Sequence, residues 1–495
     1  MSASKDKPST ANRGPLSSSQ QYADNAFLRA AGAPLVAGNS VRILIDAAQN
    51  FPAWLEAIRA AQRSILFECY IVEDDAVGRE FISALAERAR SGVHVRLIYD
   101  WLGTRRPQWI WDLLTPAGAV VRSFNPPRLA SPFGWISRDH RKLIAVDGEV
   151  GFVSGLCVSA TWTGDAKRGI EPWRDTGVEI RGPAVADLED AFAQVWDASG
   201  TPFPDDDFTP LDSIAPAGDV SVRVVASEPN TAGVFRLDQF IASVATERLW
   251  LTDAYFVGTT PYVQALCSAA RDGVDVRLLV PGSSDVPVLG PISRAGYRPL
   301  LEAGVRVFEW NGTMLHAKSA VADSRWARVG STNLNIASWL NNYELDVSVE
   351  NEAFATAMAD MYEEDLDRAT EIVLNPRNRV RAVRIESRRT HPKRARSGSA
   401  GRAAAGALSI GSTVGAVLTN RRALGPAEAK LLGYVGLALL GVAVTGTFWP
   451  RVLAIPIAVI AAWFAVTALA RAYRLRSGRS DADREARGDR GALGP

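Results

Sequence analysis

Two histidines and two lysines in this sequence occur in two copies of one spaced pattern. The pattern is H-x-K-x-x-x-x-D, which reads DHRKLIAVD in the first copy and LHAKSAVAD in the second. The chain of 495 residues holds only four histidines, so two matches to one pattern are hard to attribute to chance. The residues concerned are His140, Lys142 and Asp147 in the first copy, and His316, Lys318 and Asp323 in the second.

These residue types suit attack on a phosphodiester. A neutral imidazole can attack phosphorus, and a protonated imidazole can donate to the departing oxygen. Two ammonium groups can hold the anionic phosphate and stabilise developing charge. Asp147 and Asp323 are each followed by turn residues, which predicts structural anchors rather than proton carriers. The chemistry requires no metal, and no residues with metal-ligand spacing accompany it, so we expect no metal and no cofactor.

The segments around the motifs predict an α/β fold. Each motif runs into an apolar segment typical of a buried strand, and residues i and i+2 of a strand share a face. Strand-like and helix-like segments alternate over 41–99 and again over 220–280. The near-copies GVHVRL and GVDVRL support a duplication, in which His94 has an aspartate counterpart and is therefore expected to be structural. We predict a mixed sheet between helical layers in each half.

With its paired motifs, the chain resembles the phospholipase D superfamily over about residues 41–374. The segments WRDTGVEIRGPAV (173–185) and FECYIVEDDAVG (67–78) look like those of bacterial cardiolipin synthases. The resemblance implies a duplicated phospholipase D-like α/β/α sandwich with two catalytic halves. It implies that His140 is the nucleophile, that His316 is the general acid and base, and that the whole motif is catalytic: His140, Lys142, Asp147, His316, Lys318 and Asp323.

The resemblance also implies supporting residues. Beside Lys142 and Lys318, small or amide residues after each motif should face the phosphate, which selects Ser331, Asn333 and Asn335 in the second half. At the same offset the first half has Gly155 and Cys157, a departure from the family pattern. A carboxylate should orient each histidine, namely Asp175 for His140 and Glu344 for His316. Their spacings of 35 and 28 residues predict an insertion over 161–171 in the first half.

The charge is unevenly distributed along the chain. Residues from 376 onward carry 21 Lys and Arg against six Asp and Glu, whereas the remainder carries 34 against 48. An acidic catalytic region argues against a polyanionic nucleic acid as partner. Three cysteines in apolar surroundings cannot form a disulfide framework, which favours a reducing compartment.

Composition divides the chain into seven parts. We predict a disordered tail (1–37), a first half (38–200), a connector rich in Pro and Asp (201–219) and a second half (220–375). A basic linker with a possible interfacial segment (376–430), a membrane hairpin (431–470) and a basic polar tail (471–495) follow.

The hairpin is predicted from two uncharged stretches, 431–450 and 452–470, each long enough to span a bilayer. Basic residues on both sides favour two spans in the cell membrane with the catalytic region in the cytoplasm. A third span over 403–420 would reverse that orientation. The basic stretch 376–402 is expected to meet anionic lipid head groups.

These features together predict a membrane-bound phosphatidyltransferase that resembles cardiolipin synthase and uses phosphatidylglycerol. Water in place of the acceptor alcohol would make the protein a phospholipase D hydrolase. A membrane-tethered nuclease would use the same four residues, but its nucleic-acid binding should depend steeply on salt. A non-enzymatic membrane scaffold is suggested only by the departure at Cys157. The sequence does not define the oligomeric state.

Overall fold

A computed structural model describes residues 18–127, 136–204, 207–210, 213–286, 289–374 and 380–382, with some positions between 437 and 466. The elements below and the site belong to one compact unit, 1–126 with 135–421. Residues 127–134 and 422–495 form a second unit.

The first half follows a helix, α1 (Ser18–Ala31), and among its described residues it contains seven strands and four α-helices. In chain order they are β1 (Val36–Ile45), α2 (Asp46–Ala60), β2 (Ser64–Cys69), α3 (Ala76–Arg90), β3 (His94–Asp100), α4 (Gln108–Leu114), β4 (Val120–Phe124), β5 (Lys142–Val146), β6 (Val150–Ser154), β7 (Thr176–Arg181) and α5 (Ala184–Ser199).

The second half repeats this order with two additional short helices and with an additional hairpin at its end. Its elements are β8 (Val220–Ser227), α6 (Gly233–Val244), β9 (Arg248–Thr252), α7 (Thr260–Arg271), β10 (Asp275–Pro281), α8 (Leu289–Ala295), α9 (Tyr297–Glu302), β11 (Arg306–Trp310), β12 (Ser319–Ala322), β13 (Trp326–Gly330), α10 (Ile336–Leu340), β14 (Glu344–Glu350), α11 (Glu352–Asp367), β15 (Ala369–Leu374) and β16 (Val380–Ala382).

All sixteen strands form one mixed sheet in the order β16-β15-β11-β10-β9-β12-β13-β14-β8-β1-β7-β6-β5-β2-β3-β4. The halves meet where β1 and β8 pair antiparallel, with Val36 opposite Val222. Since β1 and β8 are equivalent first strands, the two halves are related by an approximate twofold axis between them. The duplicated α/β fold predicted from the motifs and the near-copies is confirmed.

Helices cover both faces of the sheet because the strands are apolar on both sides. Strand β5 is buried at every position, as are β6, β12 and β13. Helices α5 and α11 pack with residues of both halves in one core cluster. The helices α2 and α3 of the first half, and α6 and α7 of the second, have separate clusters.

The structure differs from the sequence-based boundaries at two places. The predicted disordered tail contains α1, because Phe27 packs edge-on against Phe240 of α6 with ring centroids 4.7 Å apart. The sheet also continues to Ala382 through β16, beyond the predicted end of the second half. The connector carries no regular strand or α-helix among its described residues, and Thr209 bonds Glu189 of α5 at 2.8 Å.

The predicted segments after residue 382 lie mostly outside the described residues, and this includes the basic linker, most of the hairpin and the polar tail. Within the part of the chain that is described, no helix is both long enough and apolar enough to cross a bilayer.

Candidate active site

The two motif histidines lie just before equivalent strands of the two halves. His140 precedes β5 and His316 precedes β12, and in the sheet two strands separate each of these from the β1–β8 pair. The backbone amide of His140 donates to the carbonyl of Tyr343, and that of His316 donates to the carbonyl of Arg174, at 2.9 and 2.7 Å. The main chain at each motif is therefore held by the opposite half.

Each histidine is oriented by a carboxylate from the opposite half. His140 Nδ1 lies 2.9 Å from Glu344 Oε2, and His316 Nδ1 lies 2.8 Å from Asp175 Oδ2. The sequence-based pairing of Asp175 with His140 and of Glu344 with His316 is therefore reversed. Order along the chain suggested partners within one half, whereas the bridges Asp139–Tyr343 and Arg174–Leu315 cross the junction.

The two carboxylates receive different supporting donors. Ser331 Oγ donates to Glu344 Oε2 at 2.6 Å, and Asn342 donates to Oε1 at 3.0 Å. Asp175 Oδ2 instead accepts from the indole of Trp162 at 2.9 Å. Ser331, predicted to face the phosphate, is fully buried behind Glu344 and acts on His140 through that carboxylate.

Gly155 is the counterpart of Ser331. The strand register pairs Ser154 with Gly177 and Gly330 with Asp346, and Gly177 and Asp346 each lie two residues after the orienting carboxylate of their half. Ser154 and Gly330 are therefore equivalent, and so are the residues that follow them. A Cβ at Gly155 would lie 2.2 Å from Asp175 Oδ1. The departure from the family pattern therefore leaves space for the shorter carboxylate of the first half.

Both motif lysines are buried beside their histidines. Lys142 Nζ and Lys318 Nζ each donate to the backbone carbonyl of the histidine two residues before them. Each ammonium also lies over a tyrosine ring, with Nζ 5.3 Å from the Tyr70 centroid and 5.8 Å from that of Tyr255. The i, i+2 spacing thus puts His and Lys of each motif together, as the strand pattern predicts.

Electrostatics favours neutral histidines and ionised carboxylates. Burial lowers the pKa of His140 to about 4, although the negative charge of Glu344 acts to raise it. Burial also lowers the pKa of His316 to about 3, and the positive charge of Lys318 lowers it further. Burial would raise the pKa of Glu344 and of Asp175, but the facing histidine keeps each below its usual value. With Nδ1–H directed to a carboxylate, Nε2 of each ring is the nitrogen left for a substrate.

Burial also lowers the pKa of Lys318 to about 8. Its side chain is therefore mostly charged at neutral pH but close to losing its proton. The site presents a cationic group beside two neutral imidazoles, which suits an anionic phosphate.

The histidines share one pocket of about 770 Å³, including its open mouth. Its walls are largely aromatic, formed by Tyr70, Trp162, Trp173 and Tyr255. Asn333 also lines the pocket; its Nδ2 donates to Ser338 Oγ in a long bond of 3.5 Å, and its Oδ1 is buried without a hydrogen-bond partner. Asn335 caps α10 by accepting from the amide of Ser338 at 3.1 Å, so its carbonyl oxygen is occupied.

The motif aspartates lie at the far ends of their strands. Asp147 accepts from the amides of Gln62, Arg63 and Ser64 at 2.7 to 2.8 Å. Asp323 accepts from the amides of Thr246, Glu247 and Arg248. Their assignment as catalytic is corrected, because they anchor the starts of β2 and β9, as their turn positions predict.

Sequence reasoning missed two groups of residues in the site. Trp162 lies in the predicted insertion, and the extra residues are the signal that could have drawn attention to it. The buried arginines Arg141 and Arg174 link the halves: Arg141 donates to the carbonyls of Glu344 and Ser227, and Arg174 donates to Asp365. Each arginine is adjacent in sequence to a motif histidine or to an orienting carboxylate. A single arginine in an apolar segment, however, forms no spaced pattern from which its role could be predicted.

Two histidines with opposed carboxylates and paired lysines at the junction of duplicated halves define a phospholipase D-type site. The sequence matches the family described as "Cardiolipin synthase, PLD-like domain" over residues 54–196 and 238–366. Cardiolipin synthase A of Pseudomonas aeruginosa is 36% identical over 367 residues, which cover 72% of this chain and 73% of that protein. Cardiolipin synthase of Alkalihalophilus pseudofirmus is 32% identical over 68% of each chain.

A solved structure has the same fold. The crystal structure of phosphatidylserine synthase from Haemophilus influenzae Rd KW20 matches with a TM-score of 0.57, at 13% identity over 79% of this chain and 98% of that one. The chain belongs to the cardiolipin synthase family of phospholipase D-like proteins. It is an enzyme, a phosphatidyltransferase of the phospholipase D type.

Proposed function

We propose that this enzyme joins two molecules of phosphatidylglycerol to give cardiolipin and glycerol. The observation that supports the proposal best is the pair of neutral histidines lining one pocket, each with Nδ1 tied to a carboxylate. Two imidazoles can divide covalent and acid–base work, and two successive displacements at phosphorus need both. The aromatic walls suit the apolar part of a lipid next to its phosphate.

In the first step, His140 Nε2 attacks phosphorus and the bond from phosphorus to the glycerol oxygen breaks. The leaving oxygen takes a proton from His316 Nε2. Although His316 is neutral in the free site, a bound phosphodiester anion together with Asp175 stabilises its protonated form. Glycerol leaves, and a phosphatidyl group remains on His140.

In the second step, a hydroxyl of another phosphatidylglycerol enters. His316, now neutral, removes the hydroxyl proton, and the oxygen attacks phosphorus while the bond to His140 Nε2 breaks. Lys142 and Lys318 hold the phosphate oxygens in both steps, and Nδ2 of Asn333, whose bond to Ser338 Oγ is long at 3.5 Å, is a further donor from the pocket wall. Water as the acceptor would yield phosphatidic acid, so exclusion of water from the pocket decides between transfer and hydrolysis.

Membrane attachment by a hairpin over 431–470 belongs to the same proposal. At the described positions between 437 and 466, large apolar side chains are exposed, including Phe448 at 69% and Leu437 at 66%. Exposed apolar groups of this size are more stable in lipid than in water. The basic stretches on both sides would lie at anionic head groups, with the catalytic halves on the cytoplasmic side. In liposome flotation, a chain ending at residue 430 should bind less than the full chain; equal binding would contradict the hairpin.

The reaction is tested with the purified full chain in phosphatidylglycerol liposomes, with products identified by mass spectrometry. Cardiolipin and free glycerol are expected from the wild type and from neither His140→Ala nor His316→Ala. His94→Ala is the matched control, because its side chain is 68% exposed and bonds only Asp207 among the described contacts. It should retain full turnover.

The outcomes separate the possible reactions. Phosphatidic acid as the sole lipid product would replace transfer by hydrolysis. No consumption of lipid by the wild type would refute the phosphatidylglycerol reaction. Cleavage of DNA by the wild type, lost in both motif variants, would establish a nuclease.

A further inference from the structure

Two of the three cysteines lie together at the wall of the substrate pocket. Cys69 ends β2, where it is opposite Lys142 in the register with β5. Cys157 follows β6 and lines the pocket beside His140. Both side chains are buried, at 3% and 1% exposure, and neither is in a disulfide.

The two cysteines lie on neighbouring segments that share one acceptor. Cys69 Sγ donates to the carbonyl of Ile71 at 3.1 Å, and the amide of Val158, which follows Cys157, donates to the same carbonyl at 3.1 Å. Val72 also pairs with Val158. The two thiols are therefore close enough for each to shift the pKa of the other.

The second half has a carboxylate and an amide at the equivalent positions. Asp253 follows β9 beside Lys318, and its carboxylate accepts from the amides of Leu334 and Tyr255 at 2.8 and 3.0 Å. Asn333 takes the place of Cys157 on the pocket wall. The first half thus lacks these polar groups, and two buried thiols fill their positions.

The thiols differ in acidity. Burial raises the pKa of both, but the interaction with Cys69 and the charge of Lys142 outweigh it at Cys157, whose pKa falls below the usual value. The pKa of Cys69 lies well above its usual value. A thiol of lowered pKa on a pocket wall, with a second thiol beside it, is the arrangement that favours oxidation to a disulfide.

We propose that Cys69 and Cys157 are an oxidation site at which a peroxide forms a reversible disulfide and switches the enzyme off. The Cys157 thiolate attacks the peroxide, the O–O bond breaks, and a sulfenic acid forms with release of water or an alcohol. The Cys69 sulfur then attacks that sulfenic sulfur, the S–O bond breaks, and water leaves. In total, two thiols are oxidised and one peroxide is reduced.

The switch acts through Lys142. A disulfide draws the sulfurs to about 2.05 Å, closer than two unlinked thiols, so β2 or the segment after β6 must shift. Cys69 is the strand partner of Lys142, whose ammonium sits beside His140. A displacement of about 1 Å at a reacting group can lower turnover about 100-fold. Loss of turnover rests on the proposed function, whereas formation of the bond does not.

The test treats the full-length protein with hydrogen peroxide and measures intact mass, non-reduced peptides and turnover. We expect a loss of about 2 Da, a peptide pair linked through Cys69 and Cys157, a turnover reduced about 10- to 100-fold, and recovery with dithiothreitol. Cys267→Ala is the control, since Cys267 packs in the separate core of the second half. It should still form the bond.

Cys69→Ala and Cys157→Ala should each lose both the bond and the reversible inactivation, and either variant suffices if the other fails to fold. An unchanged mass in the wild type after peroxide treatment would overturn the proposal. Equal inactivation of wild type and Cys69→Ala would also overturn it. A disulfide in a protein without turnover on phosphatidylglycerol would refute the proposed reaction and leave the oxidation site standing.

Discussion

The two halves of the molecule orient equivalent histidines with different carboxylates. In the second half, the longer Glu344 is supported by the hydroxyl of Ser331 and the amide of Asn342. In the first half, the shorter Asp175 lies against Gly155, and the indole of Trp162 supplies the donor. Both carboxylate oxygens that face a histidine thus accept one further hydrogen bond.

The difference shows that the duplication preserved one donor to the carboxylate oxygen that faces each histidine, but not the identity of that donor. A serine at position 155 would occupy the space of Asp175, so the donor had to come from elsewhere, and the insertion provides it. Because each carboxylate serves the histidine of the opposite half, changes in one half should affect the catalytic step of the other.

The largest effect is expected when either carboxylate becomes an amide. Asp175→Asn and Glu344→Gln should each lower turnover on the order of 10³-fold, because the amide can hold the wrong imidazole tautomer and no longer stabilises the imidazolium. Mass spectrometry of the lipid products measures the loss, and peptide mass spectrometry of the quenched wild type should find the phosphatidyl group on His140. A phosphatidyl group on His316 instead would reverse the assigned roles.

A smaller effect is expected from Gly155→Ser. Its Cβ would displace Asp175 and thereby His316, which should lower turnover about 100-fold, the scale expected for a shift of about 1 Å. Gly290→Ser is the matched control, because a Cβ there meets nothing within 4 Å. Turnover of Gly155→Ser equal to that of the control would show that the glycine is not needed.

Removing one donor from each carboxylate should have comparable, moderate effects. Trp162→Phe and Ser331→Ala should each lower turnover about tenfold, since a hydrogen bond to a charged group contributes about 1.5–3 kcal/mol. Timed assays of glycerol release and cardiolipin formation should show the loss in both variants. Trp101→Phe, at a residue 38% exposed, controls for loss of an indole; a loss there of similar size would contradict the assignment.

The smallest effect is expected from pH near neutrality. Turnover at saturating substrate should change less than about twofold between pH 5.5 and 7, because in the bound site His140 is neutral while the phosphodiester and Asp175 keep His316 protonated. It should fall below about pH 4, where His140 gains a proton, and above about pH 8, where Lys318 loses one. A change in turnover centred near the ordinary histidine pKa would mean that burial does not determine the protonation of these two imidazoles.

The sequence predicted the fold and nominated the histidines, lysines and both carboxylates, because motif spacing and strand periodicity are local signals. It could not predict which carboxylate serves which histidine, since that depends on β1 pairing with β8. The role of Trp162 could not be predicted for a related reason, because a tryptophan in an irregular segment belongs to no periodic pattern. Helix α1 was not predicted because it is stabilised by the contact of Phe27 with Phe240, far along the chain.

The exchange of carboxylates across the β1–β8 junction has a consequence for gene fragments. A polypeptide ending in the connector would contain His140 and Lys142 but would lack Glu344, and the remaining polypeptide would lack Asp175. Neither fragment alone should turn over substrate, yet co-expressed fragments could restore both histidine–carboxylate pairs by rejoining the sheet. Two full-length chains with inactivating substitutions in opposite halves should complement each other less well than the two fragments. A defect in one half also disables the histidine–carboxylate pair that this half shares with the other.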